Sequence, residues 1–330
     1  MVSSLCYLIF PVILVMGLLR KCRESSWGRC QSRTPLQGRV FLVTGANSGI
    51  GKETVRELAR RKARVIMACR DLQSARNAVA EIRKEILTGE LIPMELDLAS
   101  FASIKHFALE VLKTFPEIHV LINNAGVYVP IKERSLTKEG FEIHFGVNHL
   151  GHFLLTNLLL DRLKESAPSR HVFQSGRIDF TNLNGEKGLP TKGRMNPGYC
   201  NSKLANALFA GELTKRTENT GVQVYSVCPG FTYTGLFRSV KLLSRLIFDF
   251  LLQGAQTVLH CATEESLENE SGHVYRDCKI YEPKKKFDPE VADRLWTISS
   301  KLTVRLWFEK ETRLNFGSLD MNIYFLVIIY

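Results

Sequence analysis

The sequence has no break in composition along its 330 residues, which removes the usual sign of a multidomain chain. It is longer than a typical single domain, yet doubly wound α/β folds often reach this size as one unit. One domain with appended ends is therefore expected. The eight cysteines lack both the spacing of a metal site and a paired framework. Cys69, Cys228 and Cys261 sit in apolar surroundings, as small core residues of a reducing compartment do. No stripe of basic residues interleaved with aromatics accompanies the formal charge of +11; the basic residues are scattered through amphipathic stretches. That excludes nucleic acid as an expected partner and favours an anionic membrane surface and a phosphate-rich ligand.

Charge is also missing from residues 1–19, and Leu5 to Leu19 is almost wholly apolar before Arg20, Lys21 and Arg23 follow. A bilayer core takes ~20 apolar residues as a helix, so the run is slightly short, and Pro11 would kink it. A cleaved signal peptide would carry its positive charge ahead of the apolar run, whereas here it comes behind. Charge on the carboxyl side places that side in the cytosol. Residues 1–20 read as a signal anchor and 21–37 as a basic, polar linker.

What is present begins with Thr44-Gly45-Ala46-Asn47-Ser48-Gly49-Ile50-Gly51. It follows the apolar run Val40-Phe41-Leu42-Val43, a buried strand by pattern, and precedes Lys52 to Arg61, where Val55, Leu58 and Ala59 form a helical stripe. Glycines there let the backbone turn sharply and approach a pyrophosphate, while the first free N–H groups of the helix point at the anion. Glycine packing in a tight turn is the alternative source of the same pattern. Gly45, Asn47, Ser48, Gly49, Ile50 and Gly51 are the binding candidates of this turn.

A second strand, Arg64 to Cys69, ends at Arg70 and Asp71. In a dinucleotide fold this strand end faces the adenosine ribose, where a carboxylate suits NAD and a cation suits the extra phosphate of NADP. Arg70 thus predicts NADP(H) preferred over NAD(H), unless it is only a solvated charge at a helix start. Further helices are expected over Leu72–Leu87, Ser100–Phe115, Phe141–Lys164, Ala255–Thr263 and Val291–Trp307. Strands are expected over Met94–Leu98, Val120–Ile122, His171–Ser175, Val222–Val227 and His273–Tyr275.

Tyr199 and Lys203 lie four apart and share a helix face. A free phenol has a pKa near ~10, too high for a base at neutral pH, and an adjacent ammonium would lower it. The same spacing occurs on solvated helix faces. Asn148 falls mid-helix, where an amide needs partners. His149 and His152 read as helix packing.

Three residues separate Gly45 from Gly49, where the ordinary dinucleotide fingerprint places a single residue between its first two glycines. With Asn123-Asn124-Ala125-Gly126, Asn148 and Tyr199-Cys200-Asn201-Ser202-Lys203 in that order, the chain resembles the short-chain dehydrogenase/reductase family over about residues 36 to 300. The segment Asn148-His149-Leu150-Gly151-His152-Phe153 is most similar to its microsomal retinol dehydrogenase branch. The resemblance implies a doubly wound Rossmann-type parallel sheet with helices on both faces. It makes Tyr199 the catalytic acid/base, Lys203 its partner on the nicotinamide ribose, and Ser175 the hydroxyl that polarises the carbonyl. Asn148 would hold a water linking Lys203 to solvent, or else be a satisfied core amide. Asp97 would lie near the adenine ring, or else cap the following helix. Asn124, Ala125 and Gly126 would shape the cofactor floor, and Pro229, Gly230 and Thr234 would face the carboxamide.

The chain departs from that family after Ser175, which runs straight into Gly176-Arg177-Ile178-Asp179-Phe180, so about one turn of loop is missing. Leu236 to Leu252 is rich in Leu, Ile and Phe, consistent with a lid over an apolar substrate, a surface dipping into lipid, or core packing. Met321 to Tyr330 is apolar but too short to span a bilayer, and reads as a tail resting on the membrane. The resulting expectation is a catalytic domain over 38–300 with an atypical tail over 301–330. It would be an oxidoreductase for lipophilic aldehydes, ketones and alcohols, retinal and retinol foremost. The site would be metal-free and cytosolic, on the endoplasmic reticulum or another intracellular membrane, with a homo-oligomer left open. The contrasting expectation is an impaired nucleotide-binding relative serving as a membrane-tethered interaction protein.

Overall fold

The computed structural model describes residues 27–130, 133, 135–164, 169–170, 178–188, 195–229, 251–267, 270–282, 288–308 and 325–329. The strands are β1 (Val40–Thr44), β2 (Arg64–Cys69), β3 (Glu90–Glu95), β4 (Val120–Asn123), β5 (Ser169–Arg170), β6 (Gln223–Cys228), β7 (Val274–Arg276), β8 (Lys279–Ile280) and β9 (Phe325–Ile329). The helices are α1 (Gly49–Arg60), α2 (Leu72–Arg83), α3 (Phe101–Thr114), α4 (His152–Lys164), α5 (Pro197–Arg216), α6 (Leu251–Thr263) and α7 (Pro289–Phe308). A π-helical segment, Phe145–Gly151, leads directly into α4.

The strands form one sheet in the order β3-β2-β1-β4-β9-β6-β7-β8, with β5 also paired to β6. All pairings are parallel except β7 with β8. Side chains alternate between the two faces, as the period of two requires. Leu42, Ile66 and Leu121 pack with α3, α4 and α5 on one face, whereas Phe41, Val43, Val65 and Met67 pack with α1, α2 and α6 on the other. Both faces are covered, so the interior strands are continuous apolar runs. The chain reverses its winding between β1, which neighbours β2, and β4; crevices at such a switch point bind ligands at the strands' carboxyl ends.

Several elements differ from expectation for physical reasons. The third strand is Glu90–Glu95, earlier than Met94–Leu98, because its register follows β2 from Arg64↔Glu90 to Cys69↔Glu95. It is a half-buried edge strand that tolerates Pro93, so it carries no strong apolar run. The helix expected from Phe141 starts as the π-segment, which sets wider turns where Gly146 and Gly151 approach neighbours closely. A Cβ on Gly146 would lie 2.2 Å from Thr137 Cγ2, and one on Gly151 would lie 2.7 Å from the Leu98 carbonyl oxygen.

The tail is the largest correction. β9 lies inside the sheet between β4 and β6, with Val120↔Phe325 on one side and Gln223↔Phe325 on the other. It therefore does not rest on a membrane, and α7 runs across the boundary expected at residue 300. Five apolar, mostly branched residues are too few for a bilayer and enough to satisfy two facing rows of backbone donors and acceptors. The fifth strand is Ser169–Arg170, and the strand expected over His171–Ser175 lies outside the described residues. The anchor expected at 1–20, residues 236–250 of the expected lid and the lysine run at 284–286 also lie outside them. Among the described residues no helix is long and apolar enough to cross a membrane.

Candidate active site

The turn from β1 into α1 is shaped by its glycines. Gly45 has φ +64°, and a Cβ there would lie 2.9 Å from Ala125 Cα. A Cβ on Gly51 would lie 2.4 Å from Asn124 Nδ2 and 2.5 Å from the Gly45 carbonyl oxygen. Asn124 Nδ2 donates to the carbonyls of Thr44 at 2.7 Å and Gly45 at 3.2 Å. The amides of Asn124 and Ala125 both donate to Thr44 Oγ1 at 2.9 Å. The Asn124–Gly126 segment is thereby stapled to the glycine turn, one carboxyl strand end against the other. Ser48, the N-cap of α1, is extended, exposed and makes no side-chain capping bond. The helix start is left to backbone N–H groups, a donor set suited to a pyrophosphate. Asn47 lies half-buried in the turn and Ile50 is buried beneath it.

At the end of β2, Arg70 is exposed. Asp71 is committed elsewhere: it caps α2, accepting from the amides of Gln73 at 2.9 Å and Ser74 at 3.2 Å. The Ser74 hydroxyl bond in particular holds its carboxyl below the usual range. Asp97 follows β3 half-buried, accepts from the Ala99 amide at 3.0 Å and pairs with Lys138 at 3.4 Å. It is not the helix cap; Ser100 caps α3 through Ser103 N at 3.3 Å.

Tyr199 and Lys203 lie in the first turns of α5, which starts with Asn196 as N-cap and Pro197 at the first helical position. Lys203 Nζ lies 5.4 Å from the Tyr199 ring centroid. A Cβ on Gly126 would lie 3.5 Å from both Asn148 Oδ1 and Lys203 Nζ. Gly126 therefore marks a point bordered by the amide and the amine, at the carboxyl end of the central strands. Burial pushes the Tyr199 phenol up to about 12 and the Lys203 amine down to about 7. This corrects the expectation of a phenol made acidic by lysine. Removing both groups from water favours their neutral forms, and the amine sits by the ring instead of depressing the phenol.

Asn148 is satisfied within the protein. Its Oδ1 accepts from the Val127 amide at 2.7 Å, and its Nδ2 donates to the Val127 carbonyl at 3.2 Å and to Ser202 Oγ at 3.0 Å. The Asn148 carbonyl also accepts from Asn206 Nδ2 at 2.7 Å and pairs with His152 Nδ1 at 3.0 Å. His152 Nε2 lies 3.0 Å from Thr44 Oγ1 and so connects the π-segment to the glycine turn. Burial lowers His149 to about 3 and His152 to about 4, keeping both neutral. The sequence offered no sign of this link, because a buried histidine in an apolar helix reads the same whether or not it bridges two loops. Nor did it single out Tyr128 and His144, which pack edge-on to Tyr199 at 5.3 and 6.0 Å between centroids. Of the remaining candidates, Pro229 is half-buried at the end of β6, while Ser175, Gly230 and Thr234 lie outside the described residues.

A parallel Rossmann-like sheet with an anion-ready turn at its switch point defines a nucleotide-binding α/β protein. The short chain dehydrogenase family model matches residues 39–242, and the chain belongs to that family. It is an oxidoreductase. It is 45% identical over 293 residues to retinol dehydrogenase 12 of Mus musculus, covering 85% of this chain and 91% of that protein. It is 44% identical over 313 residues to retinol dehydrogenase 11 of Homo sapiens, covering 90% of this chain and 96% of that one. The crystal structure of an uncharacterized protein from Mycobacterium Paratuberculosis superposes with TM-score 0.64 at 33% identity, over 84% of this chain and 98% of that one. The Pseudomonas aeruginosa RhlG/NADP active-site complex shares the fold with TM-score 0.57 at 20% identity, over 73% of this chain and 96% of that one.

Proposed function

We propose that the protein interconverts lipophilic carbonyl compounds and alcohols, retinal and retinol foremost, with NADP(H) preferred over NAD(H). The observation that carries this reading is the meeting of Tyr199, Lys203 and Gly126 beside the glycine turn. Ser48, Gly49 and Ile50 would hold the pyrophosphate at the start of α1, and Asn124, Ala125 and Gly126 would form the floor. Arg70 would receive the ribose phosphate, an assignment supported by the commitment of the neighbouring Asp71 to its helix. The names of the retinol dehydrogenase relatives support the substrate class.

The bound nicotinamide would supply the hydride. Tyr199 would supply the proton: a phenol held neutral by burial is the form needed to protonate a reduced carbonyl oxygen. Lys203 would position the ribose, Asn148 would hold the Val127 backbone and Ser202 in place beside Lys203, and Ser175 would hydrogen-bond the carbonyl. Residues 1–20 would tether the domain to an intracellular membrane with the active site in the cytosol. Relatives named as dehydrogenases do not favour the nonenzymatic alternative.

The test is NADPH and NADH consumption with all-trans-retinal by the natural chain and by Tyr199→Phe. The expected result is a lower Michaelis constant for NADPH than for NADH, and a loss of at least about 100-fold in kcat in the variant. Equal rates for the two proteins would defeat the assignment of Tyr199, and equal constants would defeat that of Arg70.

A further inference from the structure

Beneath the first turn of α5 lies a pair that the proposed chemistry leaves unused, the half-buried Glu142 and the buried His144. His144 is 1% exposed. Its Nδ1 lies 2.6 Å from Glu142 Oε1, and its Nε2 lies 2.9 Å from the Val129 amide, which can only donate. Nε2 is therefore the acceptor and Nδ1 carries the proton, which fixes a neutral tautomer and the plane of the ring. The other carboxylate oxygen accepts from the Phe145 amide at 2.9 Å. Burial would raise the Glu142 carboxyl, but the bonds from His144 and Phe145 outweigh it and hold the group below its ordinary value.

This locked ring meets Tyr199 edge-on, with centroids 6.0 Å apart and planes at 82°. Tyr128 closes a three-ring corner, 5.3 Å from Tyr199 and 6.2 Å from His144. The backbone before Tyr199 rests on the same pair. A Cβ on Gly198 would lie 3.0 Å from Glu142 Oε1, 3.1 Å from His144 Nδ1 and 3.2 Å from Asn196 Oδ1. Asn196 Nδ2 donates to the Val129 carbonyl at 2.8 Å while its Oδ1 accepts from the Gly198 amide at 2.8 Å. Val129 thus bonds His144 through its amide and the N-cap of α5 through its carbonyl. Ring plane, helix start and tyrosine backbone are thus tied together around the Glu142–His144 pair.

We propose that Glu142 and His144 are positioning residues that set the angle of the Tyr199 ring for proton transfer. The proposal rests on the reading of Tyr199 as the proton donor. His144→Phe keeps an aromatic edge against Tyr199 and severs both hydrogen bonds; Glu142→Gln keeps the histidine and places an amide opposite two donors. With 3-fluorotyrosine installed only at position 199 of the full chain, 19F NMR reads the ring environment without turnover. Both variants are expected to shift or broaden that resonance, and kcat is expected to fall about 10- to 100-fold, with the Michaelis constant for NADPH within about 2-fold of the parent. Resonances superimposing on the parent's in the folded variants would overturn the proposal. So would a Michaelis constant rising in step with the fall in kcat, which marks general structural damage. If His144→Phe fails to fold, Glu142→Gln alone decides. If the parent itself turns over nothing, the functional reading falls and the 19F comparison still decides the positioning.

Discussion

Lys203 is buried, and its amine is pushed down to about 7 from the ordinary value of 10.5. Between those two values the unfolded chain holds a proton that the folded chain has released, so stability rises with pH across that window and is lowest below it, where both states are charged. Below about 7 both states are protonated and the folded state carries the full cost of a buried charge. Lys203→Met in the cofactor-free protein should therefore be more stable than the parent at pH about 6, by an amount that shrinks as the pH approaches the unfolded value. Urea denaturation at several pH values measures it, and a pH-independent difference would show that the amine is not titrating in the fold. The pair Tyr199 and Lys203 was legible from its spacing taken together with the glycine turn and Asn148 that precede it. Its electrostatics were not, because spacing reports which face two groups share and not how far that face is removed from water.

At the scale of elements, α5 delivers those side chains and its start is heavily determined. Asn196 satisfies the Gly198 amide at 2.8 Å and Pro197 occupies a position where no amide is needed. Asn196→Ala should lower the unfolding free energy by about 1–2 kcal/mol, measured by denaturant titration, since it removes the cap and the bond to the Val129 carbonyl. That start was not read from the sequence, whereas β1, β2 and β4 were, since their interior positions demand unbroken apolar runs. The π-segment was not. Phe145–Gly151 carries residues an ordinary helix would accept, and only contact of Gly146 with Thr137 and of Gly151 with Leu98 explains its wider turns.

For the whole molecule, the decisive element is β9. Parallel ladders from Val120↔Phe325 to Asn123↔Ile328 and from Gln223↔Phe325 to Tyr225↔Val327 join the two halves of the sheet through the last residues of the chain. A chain ending at Phe308 would leave the facing backbones of β4 and β6 unpaired at the centre of the sheet. It should lose cooperative unfolding and expose apolar surface, seen as a flattened denaturation curve and dye binding. A sharp transition retained at the parent's midpoint would show that another segment fills the gap.

The sequence by itself determined the family, the glycine turn, the order of the early strands and the tyrosine–lysine face, because each follows from local pattern: periods of two or 3.6 and residues that a turn requires. Tertiary structure alone decided that an apolar tail becomes an interior strand, that Glu142 and His144 come to lie under Tyr199, and that burial raises the phenol where the spacing predicted that the amine would lower it. Those outcomes depend on which distant backbone rows lack partners and on how much water is excluded, and both are set only when the whole sheet has closed.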